Sequence, residues 1–80
     1  MTNYADIKFT ANLKSVMANT LERKASGTYY GRETENGLKM AIAYLDSINA
    51  EMLTDQQLKH AVRLSYYRGK ATDYRALHTA

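Results

Sequence analysis

Three stretches of the chain repeat apolar residues at the three- and four-residue spacing of an α-helix, and no proline interrupts any of them. Proline removes a backbone donor and clashes with the preceding turn, so it is the hard stop that most restricts where helices run. Its absence leaves breaks only where glycines and capping residues cluster.

Phe9, Leu13, Val16, Met17, Thr20 and Leu21 fall on one stripe, opposite a wet stripe of Lys8, Asn12, Ser15, Asn19, Glu22 and Arg23. This predicts a first helix over about 4–25, with Asn3 as N-cap and Ser26-Gly27 as its stop. Arg23 and Lys24 then face the negative end of the dipole. Residues 26–37 hold three of the four glycines and form a connector. Leu38, Ala41, Ile42, Leu45, Ile48 and Met52 predict a second helix over about 33–51, with Glu33 and Glu35 near its positive end. Met40 and Tyr44 widen its apolar arc, so this helix is either central or keeps a flank for a partner, a second copy of the chain included.

The sharpest local signal is Leu53-Thr54-Asp55-Gln56-Gln57-Leu58. Thr54 can cap a helix with Gln57 reaching back, while Leu53 and Leu58 form a hydrophobic staple. A third helix over about 55–68 follows, with Leu58, Ala61, Val62 and Ser65 inward and Gly69 as a left-handed stop. Thr72, Tyr74 and Leu77 allow a short fourth helix at 73–78. The expected fold is all-α: one domain over 1–80 built as a small three-helix bundle, with or without that fourth helix.

A domain this short buries only about 60% of its unfolded surface. With no cysteine, packing or oligomerisation must supply the stability. No stretch is apolar enough to span a membrane, and the first residues lack the pattern of a secretory signal, which leads to the expectation of a cytoplasmic protein.

The chain offers two histidines, His60 and His78, and no cysteine, too few ligands for a metal centre. The glycines do not form a phosphate cradle, and Glu33 and Glu35 diverge by about 200° on a helix, so they cannot work as an acid–base pair. Ser26 and Ser47 lie in no nucleophile motif. The sequence therefore reads as a non-enzyme needing no cofactor or metal.

Charge is uneven. Residues 1–55 carry six Lys/Arg against seven Asp/Glu, whereas residues 56–80 carry five against one. On the third helix Gln56, Lys59, Arg63 and Tyr67 face away from the apolar stripe, with Arg68 and Lys70 beyond. The bland reading is a solvated face with Asp55 and Lys59 paired at i, i+4. The functional reading adds Tyr29, Tyr30, Arg32 and Tyr66, because tyrosine and arginine anchor interfaces.

The surface so defined, Tyr29, Tyr30, Arg32, Lys59, Arg63, Tyr66, Tyr67, Arg68 and Lys70, is expected to bind a protein, acidic in character, as an inhibitor or adaptor that occupies a site on its partner. Small proteins encoded by phages and other mobile elements share this general character. The alternative is a nucleic-acid-binding module, with Lys59, Arg63, Arg68, Lys70 and Arg75 on phosphates and Tyr66, Tyr67 or Tyr74 stacking on bases. A helix-turn-helix fits poorly, because the segment from Asn49 to Thr54 is long and lacks glycine.

Overall fold

The computed structural model describes residues 4–70. A 3-10 turn at Tyr4–Asp6 precedes three α-helices: α1 (Thr10–Ala25), α2 (Glu35–Ser47) and α3 (Asp55–Ser65). No strand occurs among the described residues, so the chain is the expected all-α three-helix fold. Asn3, the short helix at 73–78, and Tyr74, Arg75 and His78 lie outside the described residues.

The helix ends show how local chemistry and tertiary contact compete. α1 closes in a Schellman motif: Thr28 N–H donates to the Arg23 carbonyl at 2.9 Å and Gly27 N–H to that of Lys24 at 3.2 Å. Gly27, at φ 81°, supplies the left-handed residue this motif needs. α3 begins with the expected capping box, Gln57 N–H to Thr54 Oγ1 at 3.1 Å and Thr54 N–H to Gln57 Oε1 at 2.9 Å.

The start of α1 departs from expectation. The helix begins at Thr10, not near residue 4, because the backbone before it pairs elsewhere. Leu53 N–H donates to the Lys8 carbonyl at 2.8 Å and Thr10 N–H to that of Glu51 at 2.9 Å, flanking an isolated antiparallel bridge between Phe9 and Met52. Both side chains, expected on inner helical stripes, are more than two-fifths exposed. The same pairing takes up residues 51–53, and α2 ends at Ser47 rather than near 51.

α2 is the central helix, packed against α1 on one side and α3 on the other. Its wide apolar arc is thereby used up: Leu38, Met40, Ala41 and Leu45 are buried with Leu13 and Met17 of α1, Ala61 and Leu64 of α3, and Tyr4. Met40 is therefore not available to a partner or a second copy, and Tyr44 is half-buried. Met40 is fully buried, and Tyr44 stands edge-on to His60 with ring centroids 4.6 Å apart. At the start of α2, Gly37 rests on the end of α3, where a Cβ would collide with the carbonyl oxygens of Leu64 and Ser65.

Candidate functional site

The corner where α2 starts and α3 ends organises the surface. Thr34 caps α2 by accepting from Gly37 N–H at 2.9 Å, and its own N–H donates to the Ser65 carbonyl at 3.0 Å. Its hydroxyl donates to the carbonyl of Tyr67. Asn36 Nδ2 donates to the Gly69 carbonyl at 3.1 Å. These bonds tie the connector after α1 to the segment after α3, so Arg32 and Arg68, thirty-six positions apart in sequence, line one recess with Tyr66.

Below this corner lies a buried polar cluster that the sequence did not reveal. Glu33 precedes the helix it was expected to join, and it is only 3% exposed. Its Oε2 accepts from the Tyr4 phenol at 2.6 Å and from the Tyr29 phenol at 3.0 Å. Burial, reinforced by the hydrogen bond to Glu33 and by its charge, pushes the Tyr4 phenol well above its ordinary pKa, so Tyr4 remains a donor. Only the four-residue step from Tyr29 to Glu33 hinted at this contact; the link to Tyr4 spans the chain and leaves no local signal.

α3 carries the rest of the surface. A groove of about 520 Å³ runs between α3 and the 3-10 turn. Half-buried Leu58 and Val62 line it together with the exposed side chains of Lys59, Arg63 and Tyr66. These five positions follow one stripe at the boundary between the inner and outer faces of the helix. Tyr66 lines both the groove and the recess of Arg32 and Arg68, so the two are contiguous.

The surface expected from sequence is thus gathered in part. Arg32, Lys59, Arg63, Tyr66 and Arg68 come together around the groove and recess. Tyr30 is exposed beside Arg32 in the connector, and Lys70 is exposed at the end of the described segment. Tyr29 and Tyr67 turn inward, the first onto Glu33 and the second against the core. α3 ends at Ser65, so the helical phase that put Tyr67 outward does not carry past it. Nor is Gly69 a left-handed stop, since the positive φ among the described glycines belongs to Gly27.

The cations of the surface form no ion pair among the described residues. The ion pair formed among the described residues is Lys14 with Asp46, on the α1–α2 side. The expected pair of Asp55 with Lys59 does not form, although Asp55 borders the groove. Lys59 and Arg63, one turn apart, are like charges whose spacing slightly opposes the helix. No group of three potential metal ligands gathers among the described residues, and no helix there is long and apolar enough to cross a membrane. No protein-family model matches the chain, and neither the curated proteins nor the solved structures contain a significant match to it.

Proposed function

We propose that this chain is a non-enzymatic protein-binding module that acts by occupying a site on an acidic partner, with the α3 groove as its docking surface. The observation that carries this reading is the groove's composition: an apolar lining from Leu58 and Val62, bordered by Lys59 and Arg63, neither of which has an ion-pair partner among the described residues. An apolar floor offers area to desolvate, while the cations select carboxylates and speed encounter. Tyr66 adds a large, stiff side chain of the kind that dominates interface energetics. Nucleic acid would use the cations but not the apolar floor, which is why a protein is the better fit.

The test is affinity capture from a lysate of the native host, followed by titration of the purified captured protein. The double variant Lys59→Glu, Arg63→Glu should lose the partner while melting like the parent chain, because both side chains are exposed. Equal binding by the variant removes the groove from the function. Salt-sensitive binding to duplex or single-stranded oligonucleotides that this variant abolishes, with a slope of about −0.9 per phosphate on duplex DNA, replaces the protein partner with nucleic acid.

A further inference from the structure

The recess beside the groove has a chemistry of its own. Arg32 and Arg68 line about 300 Å³ of space with Tyr66, and among the described residues no acidic side chain lines it with them. Neither guanidinium has a hydrogen bond or ion pair among the described residues. Two like charges facing one small space repel, and side chains on slack segments would drift apart. Here the segments are fastened: the Gly31 carbonyl accepts from Lys24 Nζ at 3.2 Å, Thr34 holds the carbonyls of Ser65 and Tyr67, and Asn36 holds that of Gly69. The rings of Tyr29 and Tyr67 fold back over Gly31 and Gly69, filling the space where a Cβ would stand. The two double-tyrosine segments share no sequence register, yet each buttresses a turn that presents an arginine.

We infer that this recess binds the phosphoryl group of a phosphate monoester. Each guanidinium presents a planar fork of N–H donors suited to two oxygens at once, and the Tyr66 phenol adds a further donor. That set exceeds what one carboxylate accepts and suits the three terminal oxygens of a phosphoryl group. The charge matches as well, since two permanently charged guanidinium groups balance a monoester carrying about −1.5 to −2 at neutral pH. A carboxylate or a phosphodiester brings a single negative charge. The assignment stands on the recess alone and holds whatever occupies the groove.

The experiment titrates the full chain, labelled with ¹⁵N, against phenyl phosphate, dimethyl phosphate and acetate, with amide shifts of residues 31–34 and 66–69 as the readout. The monoester should bind at least about tenfold more tightly than the diester or acetate, and Arg32→Gln or Arg68→Gln should each weaken it by at least about tenfold. Its affinity should fall as the pH drops through the second ionisation near ~6. The groove variant Lys59→Gln, Arg63→Gln should keep monoester affinity within about twofold, which separates this site from the docking groove. An O-phosphoserine peptide compared with free phenyl phosphate tells a modified protein from a small monoester as the source, and either ranking upholds the site. Equal binding of acetate, or retention of the monoester by the double variant Arg32→Gln, Arg68→Gln, overturns it. Both arginines are at least partly exposed, so the variants should melt like the parent.

Discussion

The Tyr4 phenol donates a 2.6 Å hydrogen bond to the carboxylate of Glu33, twenty-nine residues along the chain, and both side chains are buried. This bond fastens the N-terminal turn, one wall of the groove, to the connector that carries Arg32. Tyr4→Phe keeps the ring in the core and removes the donor. It should cost about 1.5–3 kcal/mol, the range for a hydrogen bond to a carboxylate, read from urea denaturation. A smaller loss in a Glu33→Gln background than in the parent would show the coupling directly; equal losses would deny it.

The same contact sets an alkaline limit. The Tyr4 pKa is raised in the folded chain, by burial first and by Glu33 second. An unfolded chain releases this proton near pH ~10. Above that pH the folded state binds more protons than the unfolded one, so stability declines as pH rises, by at most about 1.4 kcal/mol per pH unit for one proton. Below it this group contributes no slope. Tyr4→Phe should flatten the alkaline arm relative to the parent in denaturation midpoints taken across that range, and identical arms would remove Tyr4 as the cause.

Gly37→Ala pits propensity against packing. In an exposed helix the exchange gains about 1 kcal/mol. Here the added Cβ meets the carbonyls of Leu64 and Ser65, which belong to backbone and cannot swing aside. Overpacking of this kind costs about 1–3 kcal/mol and forces α2 away from α3. The variant should therefore melt lower than the parent. A higher melting temperature would mean that the two helices leave room for a methyl group between them.

Tyr66 and Tyr67, adjacent in sequence, should separate cleanly on mutation. Tyr66 is 41% exposed and lines both the groove and the recess, whereas Tyr67 packs against the core. Tyr66→Ala should cost about 2 kcal/mol or more of partner affinity with little change in melting. Tyr67→Ala should cost stability, about 2 kcal/mol for a half-buried aromatic ring, and leave the affinity of the folded fraction intact. The reverse pattern in calorimetric titration and thermal melts would exchange their roles.

That division marks where the sequence stopped being readable. The capping box at Thr54 and Gln57 lies within four residues, and the stripes of α1 and α2 repeat over several turns, so propensity and periodicity sufficed for them. Lys59 and Arg63 fell on the outer face because α3 really is helical there. Tyr66 and Tyr67 lie just past its last turn, where Thr34 takes over the backbone carbonyls of Ser65 and Tyr67. The front of α1 failed for the same reason: a pairing with residues 51–53 outcompeted a helix that the apolar pattern allowed. Elements fixed by contacts tens of residues apart leave no period to read.

Thr34 is where these long-range contacts meet, and it offers the most economical test of the corner. Its hydroxyl both accepts from Gly37 N–H and donates to the Tyr67 carbonyl, so one oxygen caps α2 and anchors the segment bearing Arg68. Thr34→Val preserves shape and the backbone bond to Ser65 but deletes that oxygen. The loss should be about 1–2 kcal/mol, as for a missing N-cap, and the Gly37 amide should exchange with solvent faster. Thr34→Ser retains the hydroxyl and should recover most of the cap. If hydrogen exchange at Gly37 is unchanged in the valine variant, the Thr34 hydroxyl does not cap α2 in solution.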